Sequence, residues 1–363
     1  MVGWLLALAF VAPALNAEAF RTIGRAWFNA GEAYLLRADP TALPAHLRTC
    51  ANCHTEVAAE WRQSLHAQAW TDPIFQNAYR QEPVARCRHC HSPHGDPQGP
   101  AQELAKDGVS CAACHVRDGA IFGVRERPDG SVGHGVKAAP EMASAGYCAG
   151  CHQFGMFGTP KRDHNGRFEL PQPQQDTFAE WTRSQPARLG QACQHCHMAQ
   201  TARLSGKPGR SHRFLGADTG QMQRSVRVEL RASAAAAGTT VTAAVSAPGV
   251  GHGFPTGDIF RRARLRLWCD GQPASAIERT LARTFAMTSG RDPRHGAYTS
   301  LRQVSDTRVP ASEELLVSVQ LPACATVQWS LDYDKMPLPD AKGRPGQPEQ
   351  TLRVGQGRVE VTR

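Results

Sequence analysis

Large rings are scarce in this sequence. Only 7% of its 363 residues are aromatic, so side chains alone supply few large groups to fill an interior. Long apolar runs are missing after the N-terminus, so no later segment is expected to cross a bilayer. The formal charge of +9 comes without a Lys-rich tail, a Cys2His2 finger spacing or a nucleic-acid motif. A basic balance favours anionic partners in general, but nucleic acid is not expected to be one of them.

The one apolar run is at the start. Val2 to Leu15 carries no charge, and Ala17 and Ala19 form a small-residue pattern before Phe20. The run is short for a membrane span and reads as a secretory leader over residues 1–19. No Lys or Arg precedes it, so an uncleaved anchor is the alternative and the only route to membrane association. The expected location is the periplasm or the extracellular space. The remaining length accommodates two domains.

Twelve cysteines in an exported chain would ordinarily suggest disulfides. Ten of them instead form five Cys-x-x-Cys pairs, each followed at once by histidine: CANCH 50–54, CRHCH 87–91, CAACH 111–115, CAGCH 148–152 and CQHCH 193–197. Histidine fills 15 of 363 positions, so five such coincidences have a chance on the order of one in ten million. Zinc held by paired cysteines would leave the five histidines unexplained. A thioredoxin-like role lacks the alternating β-α pattern.

The spacing is that of covalent c-type haem attachment. Two thiols about one helical turn apart reach the two vinyl groups of a porphyrin edge, and the next residue lies under the iron. The sequence therefore predicts five haem c groups. They are anchored by Cys50, Cys53, Cys87, Cys90, Cys111, Cys114, Cys148, Cys151, Cys193 and Cys196, with His54, His91, His115, His152 and His197 as proximal iron ligands. Residues 20–218 give each haem roughly 40 residues, too few for separate globin-like pockets. The haems must pack against one another, and the porphyrins take the place of the missing rings. Their propionates, about ten negative charges in all, offset the basic balance, and arginine suits carboxylates through its planar fork.

Ten histidines remain as candidates for the opposite face of each iron. His89 and His195 sit inside motifs and are expected to be exposed. His94 lies three residues after His91, a reach of at most about 10–11 Å, too short to round its own haem. It is expected to serve a neighbouring haem. His66, His134, His212 and His252 are the other expected iron ligands, while His164, His46, His295 and Met156 rank below them. His66 lies in AEWRQSLHA, 59–67, which matches AEWTRSQPA, 179–187, at Ala, Glu, Trp, Ser and the last Ala. This reads as an internal repeat whose second copy has Pro186 in place of the histidine. Trp61 and Trp181 are expected to share a packing role.

After residue 218 the haem motifs stop and the pattern turns to period two. SVRVELRA, RRARLRLW, LLVSVQL, TVQWSLDY and the terminal RVEVT read as strands of an antiparallel β-sandwich over 219–363. Residues 335–350 read as a polar loop. Cys269 and Cys324, outside the haem motifs, are candidates for one disulfide. GHGFPTGD, 251–258, is a turn-rich loop that could carry His252 to a haem. The fold class is thus a mainly α or irregular pentahaem cytochrome c domain, 20–218, followed by the β-domain.

The stretches WRQSLHA, GVSCAACH, QDTFAEW and CQHCHM followed by SHRF resemble the multihaem cytochromes c related to the tetrahaem electron acceptor of hydroxylamine oxidoreductase. The resemblance covers most of 50–216. The GHGFPTGD loop and the strands after it, loosely 240–333, resemble β-domains on some exported cytochromes. The family resemblance implies stacked, mainly bis-histidine haems and electron transfer to redox partner proteins, among them other multihaem cytochromes. The fifth motif departs from the tetrahaem pattern, so ligand pairing cannot be copied. The alternative is a multihaem reductase of nitrite, hydroxylamine or a sulfur oxyanion with one five-coordinate haem. The lysine-ligated C-x-x-C-K of pentahaem nitrite reductases is absent, and an electron-transfer protein is the expectation. A third role, docking into an assembly, would use the face of Arg262, Arg264 and Arg266.

Overall fold

The computed structural model describes residues 49–81, 83, 87–94, 105–117, 119–128, 133–155, 173–216, 219–257, 259, 261–292, 296–336 and 346–363. The expected leader, His46, Met156, His164 and His295 lie outside the described residues.

The first part is built of short helices and turns. They are α1 (Cys50–Cys53), α2 (Thr55–Arg62), α3 (Pro73–Gln81), α4 (Cys87–His91), α5 (Cys111–His115), α6 (Ala145–His152), α7 (Thr177–Thr182), α8 (Gln185–Arg188), α9 (Cys193–His197) and α10 (Thr219–Ser225). Every C-x-x-C-H motif lies on or directly ends one of these helices, so each pair of cysteines points to the same side one turn apart. The Asp72 carboxylate caps α3 by accepting the Ile74 N–H at 2.9 Å and the Phe75 N–H at 3.1 Å, and Pro73 fills the first helical position. Among the described residues of 49–216, the buried apolar side chains are Trp70, Ile74, Pro186 and otherwise only alanine. A body of that size with an alanine-lined interior needs a further apolar filling, and porphyrin rings supply one.

The second part is β-rich. Its long strands are β1 (Arg227–Ala235), β2 (Gly238–Ser246), β3 (Arg261–Cys269), β4 (Ile277–Asp292), β5 (Gly296–Asp306), β6 (Glu314–Leu321), β7 (Thr326–Lys335) and β8 (Gln350–Glu360). One sheet runs β5-β4-β3-β7-β8 and the other β6-β2-β1, with every pairing antiparallel. The period-two reading of β3 holds: Ala263, Leu265 and Leu267 are fully buried, and Arg262, Arg264 and Arg266 project from the opposite face. Both sheets feed one core, Val241, Ala243 and Val245 from β2 meeting Leu265, Leu267 and Leu331 from β3 and β7. Cys269 and Cys324 are joined by a disulfide. Strand β2 and the β4–β5 hairpin are additions to the sequence reading. Strand β2 buries small residues, and the hairpin lacks a clear apolar alternation.

The arginines of this face are held by partners within the chain. Arg262 and Arg264 both bond the carboxylate of Asp334, at 3.0 and 2.5 Å, and Asp334 is wholly buried. Arg266 donates to the Pro273 carbonyl and lies over the Trp268 ring.

Candidate haem sites

Two attachment motifs begin where a tryptophan hydrogen bond holds the backbone before them. Trp61 Nε1 donates to the Val109 carbonyl at 2.8 Å, and Trp181 Nε1 donates to the Gln191 carbonyl at 2.9 Å. Val109 and Gln191 each stand two residues before a motif, Cys111 and Cys193. Both follow a glycine with positive φ, Gly108 and Gly190. At Gly108 a Cβ would come within 2.4 Å of the His66 carbonyl oxygen, so this approach admits only glycine. The repeat seen in the sequence is therefore real, and the tryptophans act through hydrogen bonds that fix the entry to the third and fifth motifs. In both copies the serine bonds the tryptophan carbonyl and accepts a backbone N–H three residues on, Ser64 from Ala67 and Ser184 from Ala187. His66 stands on the turn after α2.

The motif histidines meet histidines from distant parts of the chain. Ring centres lie 6.0 Å apart for His54 and His134, 6.1 Å for His66 and His152, 6.3 Å for His115 and His212, and 6.1 Å for His197 and His252. Two imidazoles bound to opposite faces of one metal through bonds of about 2 Å hold their ring centres roughly 6 Å apart. The residues present therefore fit a haem iron between each pair.

The outer ring nitrogens agree. A ligating histidine normally gives its other N–H to a carbonyl, which fixes tautomer and orientation. His91 Nδ1 donates to Ala69 O at 2.7 Å, His115 to Phe122 O at 2.9 Å, and His197 to Leu215 O. His134 donates to Gly135 O at 3.2 Å, His212 to Arg210 O at 3.0 Å, and His252 to Gly253 O at 3.1 Å. The Gln175 amide lies 3.0 Å from His152 Nδ1. In the six rings that donate to a carbonyl, Nε2 is left for iron, whereas His152 Nδ1 accepts from the Gln175 amide. Burial holds His66 down to about 3, reinforced by His152 and His197. It holds His152 and His252 to about 4, with His197 adding to both. Burial also lowers His54 and His212. A lowered pKa favours the neutral imidazole, the form that binds a metal.

His91 stacks on the Phe75 ring, centres 3.7 Å apart. His94 is buried, and its Nδ1 has no hydrogen-bond partner among the described residues. The four ring pairs supply opposite histidines for motifs one, three, four and five without His94. His195 is exposed as expected, whereas His89 is half-buried.

The motifs also touch one another. The side chains of Cys50 and Cys111 are in hydrogen-bond contact, as are Cys90 with Cys151 and Cys148 with Cys193. Tyr147, next to Cys148, donates its hydroxyl to the Cys114 carbonyl at 2.5 Å. Motif four thus borders motifs two, three and five.

A family model described as "Cytochrome c554 and c-prime" matches residues 49–116, a span that contains the first three motifs. Over those residues the chain is similar to multihaem c-type cytochromes. Its fold is similar to the crystal structure of a penta-heme cytochrome c552 from Thermochromatium tepidum. The two share 20% identity and a TM-score of 0.61, over 86% of this chain and 97% of that one. The search of curated proteins found no match. Among the described residues, no helix is long and apolar enough to cross a membrane.

Proposed function

We propose that the chain is an exported multihaem c-type cytochrome, an electron relay with five haems. Four are bis-histidine, ligated by His54 with His134, His115 with His212, His152 with His66, and His197 with His252; the fifth is anchored at His91. The four ring pairs at 6.0–6.3 Å carry this reading. Haem supplies one-electron ferric–ferrous chemistry when bound. The protein's part would be to orient the paired imidazoles, to bring the motifs next to one another, and to exclude water behind alanine-lined walls. An iron with two histidines offers substrate no open position, which favours relay over reduction of a substrate. The Cys269–Cys324 disulfide supports an oxidising compartment outside the cytoplasm. The shared core of the two sheets supports reading 219–363 as a β-sandwich domain.

A coulometric titration of the purified protein tests the relay. It should consume five electrons per chain, and adding nitrite, hydroxylamine or a sulfur oxyanion should produce no catalytic current. Sustained turnover of any of these would instead establish the reductase.

A further inference from the structure

The two copies of the repeat share more than their tryptophans. Each presents a glutamate just before the tryptophan, Glu60 on α2 and Glu180 on α7. Glu60 Oε2 accepts the backbone N–H of His212 at 2.9 Å, and Glu180 Oε2 accepts the backbone N–H of Gly253, the neighbour of His252, also at 2.9 Å. An arginine grips each glutamate. Arg203 bonds both oxygens of Glu60 at 3.0 Å, and Arg308 bonds Glu180 Oε1 at 2.5 Å. Each arginine then reaches the same loop again: Arg203 donates to the Arg210 carbonyl, and Arg308 to the Pro255 carbonyl. One motif is thus built twice, from residues far apart in sequence.

We propose that Glu60–Arg203 and Glu180–Arg308 are two copies of one positioning device that seats the opposite-face ligands His212 and His252. The proposal rests on the bis-histidine reading above and adds residues which that reading does not contain. His212 and His252 sit on irregular backbone, so no helix or strand ladder fixes their place. A charge-assisted hydrogen bond from the ligand's own backbone to an ion-paired carboxylate supplies the missing constraint.

In the second copy the device also joins the two parts of the chain. Thr177 and Thr256 share a hydroxyl hydrogen bond at 2.8 Å, and Gln185 N–H donates to Ser312 Oγ at 3.2 Å. Phe254 exchanges two backbone hydrogen bonds with Val309, both 2.9 Å, beside Arg308. Gly251 lets the loop close on α7, since a Cβ there would come within 2.8 Å of the Trp181 ring. Docking of the β-region and ligation by His252 are therefore one event. Glu180 and Arg308 are each 9% exposed, against 20% for Glu60 and 12% for Arg203. The second copy is better shielded from water and should show the larger effect.

The test uses the full haem-loaded protein and reads spin state and carbon monoxide binding. Glu180→Ala and Arg308→Ala should each convert one haem per chain from low spin to high spin. They should create one carbon monoxide site on the reduced protein while the total haem count stays as in the wild type. Glu60→Ala should do the same in a smaller fraction of molecules, and His252→Ala sets the full value of one haem. If His252→Ala opens one haem while Glu180→Ala and Arg308→Ala remain like the wild type, the positioning role is overturned and the ligand assignment stands. If His252→Ala opens none, the assignment of His252 fails and the device falls with it.

Discussion

Replacing both Cys148 and Cys151 by alanine is expected to leave four haems and to split the protein's fast reduction into separate phases. Motif four borders three others: Cys148 meets Cys193, Cys151 meets Cys90, and Tyr147 bonds the carbonyl of Cys114. Once thioether-bonded, each sulfur marks a porphyrin edge, so touching sulfurs mean touching haems. With motif four gone, the haems on His54 and His115 keep their contact through Cys50 and Cys111, while those on His91 and His197 lose theirs. Stopped-flow reduction should then show about two of the remaining four haems reduced together and the others in later, slower phases. Mass spectrometry checks that one haem alone was lost. A single undivided phase for all four would mean that the relay does not run through motif four.

The second large effect concerns stability. Asp334→Ala should cost the β-region about 3 kcal/mol, because it removes the buried partner of two half-buried arginines, of which Arg264 keeps Glu278 at 3.5 Å. The Asp334 carboxylate accepts from Arg262, from Arg264 through two nitrogens, and from Thr351 at 2.7 Å. Arg262 and Arg264 are themselves only 24% and 21% exposed, so water cannot fully replace the lost charge. Asp334→Asn keeps an acceptor for Thr351 and should lose less. Urea unfolding of the full chain measures both. A loss below about 1 kcal/mol for the alanine variant, the range of an exposed pair, would show that the arginines find other partners.

The haem attachment residues are legible in the sequence because covalent chemistry dictates both spacing and order along a few consecutive residues. The β-region is legible where large and charged residues alternate, as in β3, and not where β2 buries Thr239, Val241, Ala243 and Val245. Opposite-face ligands are harder. Nothing local marks a histidine whose partner lies far away along the chain, and only folding reveals the meeting. His134, His66, His212 and His252 stand out as candidates, but their partners do not. His94 stands out too, by its place three residues after His91. Glu60 and Glu180 are visible as matched letters in the repeat. Their role becomes readable only when His212 and Gly253, 152 and 73 residues away, arrive beside them.

Low-temperature near-infrared magnetic circular dichroism of the fully oxidised protein, calibrated against total haem, tests the central claim most directly. The intensity of the bis-histidine charge-transfer band should correspond to at least four haems per chain. An intensity equal to three or fewer, with the balance in methionine-ligated or high-spin bands, would contradict the four histidine pairs and the relay built on them.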